Sequence, residues 1–154
     1  MFGGESYTES YPAVRASIPA ARAALTEFAA DAGARGERLE AIRLSVSEAI
    51  TNVVLHAYPD PGADGQKTVQ VTASRVEDDV WILVADDGAG LRPGSDSAGL
   101  GLGLALISQL ADDLQVVNRG GGGTELRMRF RLRVGQGSAD AQPRGSAASA
   151  AAAA

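Results

Sequence analysis

The stretch TELRMRFRLRV, residues 124–134, limits the folds open to this chain more than any other feature, because two kinds of side chain alternate in it without interruption. The apolar members are Leu126, Met128, Phe130, Leu132 and Val134, and the basic members are Arg127, Arg129, Arg131 and Arg133. A period of two predicts a β-strand with one face on a core and the other in solvent. We therefore expect a sheet that other elements cover on one side only.

Other segments supply the rest of a sheet. TVQVTAS (68–74) alternates, VEDD follows as a turn, and VWILVAD (80–86) is almost continuously apolar. This pattern predicts a hairpin whose second strand is central and buried. LQVVN enters a further strand, and the glycines of RGGGG turn the chain into residues 124–134.

Three segments have helical spacing. The first is predicted to end near Gly33, the second to run from Glu37 to Ala57, and the third to cover 102–114. The apolar positions of the first helix are Val14, Ile18, Ala21, Leu25 and Phe28. Those of the second helix are Leu39, Ile42, Val46, Ile50, Val53 and Ala57. Leu44, Val54 and Leu55 are expected to widen the buried face of the second helix.

Helices that come early and strands that follow favour an α+β fold, a two-layer sandwich of one mixed, mostly antiparallel sheet with helices on one face. Residues 1–11 are polar and glycine-rich, and we expect a loose N-terminal arm or a first edge strand there. The domain is predicted to span 12–134. Residues 135–154, rich in glycine, serine and alanine, are predicted to be a disordered tail.

Composition excludes several classes of site. The 154 residues include no cysteine and one histidine, so thiolate sites, disulfides and multi-histidine zinc sites are excluded. The net charge of −5 gives no electrostatic case for binding nucleic acid, and the arginine face is read as a solvated surface. We expect no membrane span and no secretory signal, hence a cytoplasmic protein.

One row of polar side chains interrupts the apolar second helix. Glu48, Asn52 and His56 are spaced four apart and therefore line one stripe. Buried polar groups are costly unless a partner satisfies them. The stripe is either a solvent-facing edge of the helix or the wall of a binding site.

Two glycine-rich stretches accompany this stripe. DDGAG (86–90) follows the central strand, and GLGLG (99–103) precedes the third helix. Each alone could be an ordinary turn. Together, loop amides at a helix start can cradle phosphate, an asparagine oxygen can bind Mg²⁺, and a carboxylate can act as a base. Neither glycine stretch has the context of a P-loop or of a dinucleotide-binding fingerprint.

The segments EAITNVVLHAY, DDGAG and GLGLGLALI, in this order, resemble the N, G1 and G2 boxes of the GHKL ATPase superfamily. SEAITNVVLHAY is most similar to the anti-sigma factor serine kinases, and GGTELRM resembles the family's last box. The resemblance covers about residues 12–134 and implies a Bergerat-type sandwich, with ATP and Mg²⁺ as cofactors.

The resemblance also implies a role for individual residues. Glu48 stands at the general base, Asn52 at the Mg²⁺ ligand, and Asp86 at the acceptor of the adenine amine, which Thr124 supports. The remaining implied nucleotide contacts are Gly88, Gly90, Arg92, Gly99, Leu100, Gly101, Leu102 and Gly103. His56 is placed near the phosphates or in a packing role.

The segment LRPGSDSA between the two glycine stretches is a short lid in which Arg92 is the only basic residue. A short lid predicts weaker closure over a nucleotide. His56 lies within the binding helix and cannot serve as a phosphoacceptor, so a complete sensor histidine kinase is excluded.

The resemblance implies an ATP-dependent anti-sigma factor with serine/threonine protein kinase activity, which phosphorylates a STAS-type anti-anti-sigma protein. It also implies a sigma factor as partner and a homodimer. Three alternatives stay open: a nucleotide-gated binding module without useful catalysis, a stand-alone kinase domain acting on histidine, and an α+β domain that binds no nucleotide.

Overall fold

The computed structural model of the chain describes residues 5–57, 67–88 and 100–133. Five strands and three α-helices occupy these ranges. The strands are β1 (Ser6–Pro12), β2 (Thr68–Val76), β3 (Asp79–Asp86), β4 (Asp113–Asn118) and β5 (Thr124–Arg131). The helices are α1 (Ser17–Asp31), α2 (Gly36–Asn52) and α3 (Leu100–Leu110), and one π-helical segment, Val53–Ala57, continues α2.

The strands form one sheet in the order β1-β2-β3-β5-β4. Every pairing among the described strands is antiparallel, so the α+β class is confirmed, while the expected mixed character is not seen in these ranges. Residues 6–12 form an edge strand, which is the second of the two expectations for the N-terminal segment. The β2–β3 hairpin turns at Glu77, whose φ of 55° is left-handed.

The core lies between one face of the sheet and the helices. From β5 it receives Leu126, Met128 and Phe130, as the alternation predicts. The fully buried members from β2, β3 and the helices include Val69, Val71, Val80, Ile82, Leu25, Ile42, Val46, Ile50 and Ile107. Burying large apolar side chains from both layers stabilises the sandwich, at about 1.5–3 kcal/mol for each.

The predicted C-terminus of α1 is confirmed, but its start is wrong. Gly33 has a φ of +113°, and the amide of Ala34 donates to the carbonyl of Ala29 across 2.9 Å, which closes the helix as a Schellman motif. Val14 precedes the helix and is 50% exposed. Its carbonyl accepts from the Ser17 amide, so the chain turns here before the helix begins.

The second helix is not one α-helix to Ala57, because the last five residues, Val53–Ala57, adopt π geometry. Leu44 and Leu55 were expected to be buried, and this is wrong, since they are 42% and 43% exposed. The buried stripe of α2 is narrower than its apolar sequence suggests. Val54 is partly buried against the core, as predicted.

The third helix ends before its predicted limit. The last helical bond joins the Ala111 amide to Ile107, and the Asp112 amide then donates to the carbonyl of Arg129. The Asp112 carboxylate accepts from the Arg131 amide at 2.7 Å and pairs with Arg38 at 3.2 Å. These tertiary bonds divert residues 113 and 114 into β4.

The arginine side chains of β5 lie on the sheet face opposite the helices. Arg127 pairs with Glu125 at 2.5 Å and Arg129 with Asp79 at 3.3 Å. Arg131 lies 3.8 Å from the same aspartate. Acidic neighbours thus compensate much of the positive charge on this face.

Candidate functional site

The α2 helix carries a buried amide without a partner. Asn52 is only 8% exposed, and its Nδ2 has no hydrogen-bond acceptor within the described ranges 5–57, 67–88 and 100–133. A buried polar group left in this state costs about 1–3 kcal/mol. Glu48, one turn earlier on the same helix, is half-buried. This combination indicates a site for a polar ligand rather than packing.

The start of α3 packs directly against these two side chains. A Cβ atom added to Gly103 would lie 3.1 Å from Oε2 of Glu48 and 3.3 Å from both Oδ1 and Nδ2 of Asn52. Glycine therefore allows the closest approach of the two helices at this point. The first-turn amides of α3, which have no helical acceptor, consequently lie near the carboxylate and the amide.

A second group of residues forms where β3 ends. Asp86 is 6% exposed, and its Oδ1 accepts from the Gly88 amide at 2.9 Å. The backbone amide of Thr124, a residue that is 2% exposed, also donates to this carboxylate. Burial raises the pKa of Asp86, and the two backbone hydrogen bonds oppose that rise. A carboxylate has about four acceptor positions, so two backbone bonds leave capacity for a ligand.

Two glycines let backbone segments meet around Asp86. A Cβ on Gly88 would lie 2.1 Å from the carbonyl oxygen of Ala57, at the end of the π-helical segment. A Cβ on Gly123 would lie 1.9 Å from the carbonyl oxygen of Asp86, and Gly123 has a φ of +91°. No other residue type fits at either position without a backbone shift.

These contacts place both groups along one helix. Gly103 contacts α2 at Glu48 and Asn52, whereas Gly88 contacts the π-helical segment that continues it. Short π segments within helices occur often at functional sites. The structure thus provides one continuous wall with a carboxylate and amide at one end and the buried Asp86 at the other.

The structure brings six of the predicted site residues together in two groups. Glu48, Asn52 and Gly103 come together, and so do Asp86, Gly88 and Thr124. Gly90, Arg92 and Gly99 lie outside the described residues. Leu100 and Gly101 belong to the first turn of α3, Leu102 is 80% exposed, and His56 is half-buried in the π-helical segment.

Sequence reasoning missed Gly123 and the ion pair between Asp87 and Arg119, whose atoms Oδ1 and Nη1 are 2.8 Å apart. The glycine run before Thr124 was a usable signal for Gly123. The sequence has no signal for the ion pair, because its two residues are 32 positions apart.

The side-chain oxygens of Glu48 and Asn52 suit a hard cation that is also coordinated by a second bound molecule. Within the described ranges, no group of three or more His, Cys, Asp or Glu side chains could hold a metal ion by itself. The Asn52 oxygen and the Glu48 carboxylate are oxygen donors, and Mg²⁺ is commonly bound by one or two protein oxygens together with phosphates. The residues present therefore fit Mg²⁺ bound jointly with a nucleotide.

Known proteins with similar sequences include anti-sigma factors and a serine-protein kinase. An anti-sigma F factor of Clostridium perfringens is 29% identical over 119 residues, which cover 69% of this chain and 81% of the relative. The serine-protein kinase RsbW of Listeria monocytogenes is 32% identical over 127 residues, with 73% and 79% covered. No described helix is long and apolar enough to cross a membrane.

A solved structure supports the fold. The crystal structure of the RsbU and RsbW domains of a Mycobacterium tuberculosis protein contains a region that superposes with a TM-score of 0.64 at 24% identity. The match covers 83% of this chain and 32% of that one. Residues 11–130 match the family model described as the histidine kinase-like ATPase domain. This match spans both halves of the site, and the chain therefore belongs to the family of histidine kinase-like ATPase domains.

Proposed function

We propose that this chain is an ATP-dependent protein serine/threonine kinase that acts as an anti-sigma factor and phosphorylates a STAS-type anti-anti-sigma protein. The names of the relatives from Clostridium perfringens and Listeria monocytogenes support this class of activity. The observation that carries the proposal is the contact of Gly103 with Glu48 and Asn52, which brings the glycine-rich turn, a carboxylate and an unpartnered amide together.

The Asp86 end of the wall suits the adenine ring. The carboxylate is buried and held by the amides of Gly88 and Thr124, so its orientation is set before a ligand arrives. An acceptor held in this way can receive a hydrogen bond from an exocyclic amine. Gly88 lets the backbone pass close to the base, and buried Thr124 lines the same end.

The Glu48 end suits the phosphates and the acceptor hydroxyl. Mg²⁺ bound with ATP would neutralise phosphate charge, and the side-chain oxygen of Asn52 would hold it. Glu48 is half-buried, so it can orient or deprotonate a serine hydroxyl that arrives from solvent. Catalysis would depend mainly on positioning and on charge neutralisation.

A second candidate is a nucleotide-gated binding module with little or no kinase activity. The short segment LRPGSDSA, with Arg92 as its only basic residue, favours this candidate, because a lid normally completes such sites and excludes water. Here nucleotide would only shift the chain between partner-binding states. In both cases the proposed partners are a sigma factor and the STAS protein, and the proposed assembly is a homodimer in the cytoplasm.

The two candidates differ in whether the wild type forms phosphoserine and in whether Glu48 is needed for it. Transfer of γ-phosphate from ATP to a STAS-type substrate is measured for the wild type, Glu48→Gln and the control Glu40→Gln, which changes an exposed carboxylate of the same helix. We expect phosphoserine from the wild type, about a hundredfold loss or more for Glu48→Gln, and no loss for Glu40→Gln. Substrate binding without phosphoserine from the wild type would refute the kinase and leave the binding module.

A further inference from the structure

Arg119 closes the turn between β4 and β5. Its amide donates to the carbonyl of Gly123 at 3.0 Å, and its carbonyl accepts from the Gly122 amide at 3.0 Å. The turn 119–123 is therefore a hydrogen-bonded unit that delivers the chain to Thr124. A contact that fixes the Arg119 side chain therefore also helps to fix the position of this turn.

The Arg119 side chain leaves this turn and reaches the end of β3. Its Nη1 lies 2.8 Å from Oδ1 of Asp87, the residue directly after Asp86. The backbones of the same two segments meet at Gly123, which has no room for a Cβ beside the Asp86 carbonyl. The ion pair thus spans a junction at which the two segments are already in contact.

We propose that the Arg119–Asp87 ion pair is a positioning device for adenine recognition, which holds Thr124 against Asp86. Arg119 is a positioning residue: it acts through the turn and contacts Asp87, not Asp86. The inference rests on the proposed nucleotide-binding function, because it assigns Asp86 and Thr124 to the adenine ring. It predicts a loss that is specific to the adenine amine.

The charges of Arg119 and Asp87 also act on the ionisation of Asp86, and Arg119 favours the ionised carboxylate. The charge of Asp87 raises the pKa of Asp86, and the charge of Arg119 lowers it. Removing Arg119 would remove its lowering effect on the pKa of Asp86 and leave the raising effects of burial and of the Asp87 charge. Both side chains are exposed, Arg119 at 37% and Asp87 at 72%, so solvent screens the effect and its size is modest.

A second ion pair provides a control that distinguishes a positioning role from a general effect of surface charge. Arg43 and Glu40 are 2.7 Å apart, with exposures of 44% and 59%, and both lie on α2. This pair resembles the first in length and exposure, but it joins two residues of one helix and cannot align separate segments. Arg43→Ala is therefore the matched control.

The test compares ATP with purine riboside triphosphate, which lacks the exocyclic amine, by calorimetry with Mg²⁺. For Arg119→Ala we expect ATP affinity to fall about twofold to fivefold, the range of an exposed ion pair, with little change for the analogue. Arg43→Ala should leave both affinities unchanged. The charge-swapped variant Asp87→Arg with Arg119→Asp should recover part of the loss, and Arg119→Gln serves as a second variant that removes the charge but keeps the first part of the side chain.

The outcomes separate this inference from the proposed function. A wild type that binds ATP no better than the analogue would refute the assignment of Asp86 to adenine. A wild type that prefers ATP, together with Arg119 variants that keep that preference, would overturn only the positioning role. An equal loss for both nucleotides would overturn it too, because it would indicate a general structural effect.

Discussion

Substituting Gly103 with alanine tests the contact on which the site depends. Gly103 is the fourth residue of α3, and a methyl group there would meet Glu48 Oε2 at 3.1 Å and Asn52 at 3.3 Å. Contacts of this kind normally begin at about 3.4 Å, so the carboxylate must withdraw by about 0.3 Å and the amide by less. Glu48 is half-buried and can move, whereas Asn52 is buried.

The substitution should lower activity and leave stability almost unchanged. Glycine-to-alanine exchange within a helix favours folding by up to about 1 kcal/mol, which offsets the tight contact. Displacement of a catalytic group by about 1 Å can cost on the order of a hundredfold in rate. For a shift of a few tenths of an ångström, we expect about a tenfold loss of phosphotransfer, with unfolding free energy within about 1 kcal/mol of the wild type.

The assay is phosphotransfer to the STAS-type substrate, with chemical denaturation run in parallel. Gln109→Ala is the control, since it replaces an exposed side chain of the same helix. The reasoning is refuted if Gly103→Ala transfers phosphate at the wild-type rate while remaining folded. A fall in the unfolding free energy of clearly more than about 1 kcal/mol would equally contradict it.

Three further substitutions test stability. Ser45→Ala should raise the unfolding free energy by about 1 kcal/mol, because Ser45 is fully buried and its Oγ has no described partner; a lower melting temperature would count against this. Asp86→Asn should melt above the wild type at about pH 7, because burial raises the folded pKa and ionisation then costs stability. That cost is absent below the ordinary pKa of 3.8, so the difference should shrink toward about pH 4, and a constant difference would contradict the burial argument. Gly123→Ala should lose about 3 kcal/mol or more in chemical denaturation, since it combines a left-handed φ with a 1.9 Å backbone contact, and near wild-type stability would disprove that contact.

The sheet was predictable because side-chain alternation reports burial directly. Residues 68–86 and 124–131 alternate or are continuously apolar, and they form β2, β3 and β5. Leu44 and Leu55 were not predictable as exposed, because an apolar side chain does not show which face its neighbours cover. Strand β4 begins where Asp112 bonds to β5 and α2, and helical spacing cannot reveal such tertiary bonds.

Part of the site was predictable, because some of its residues are unusual in their sequence surroundings. Glu48 and Asn52 stand out as polar residues in an apolar helix, and Gly103 and Gly88 belong to glycine-rich stretches. The π-helical segment has no sequence signal here, since the apolar spacing through Ala57 also fits an α-helix. The pairing of Asp87 with Arg119 depends on the meeting of two loops, which local patterns do not encode.

The central claim is that this wall binds an adenine nucleotide with magnesium. Calorimetric titration of the wild type and Asp86→Asn with ATP, with and without Mg²⁺, tests it most directly. We predict binding by the wild type that Mg²⁺ strengthens and that Asp86→Asn abolishes, although this variant stays folded. Absence of ATP binding by the wild type, or equal binding by Asp86→Asn, would contradict the account.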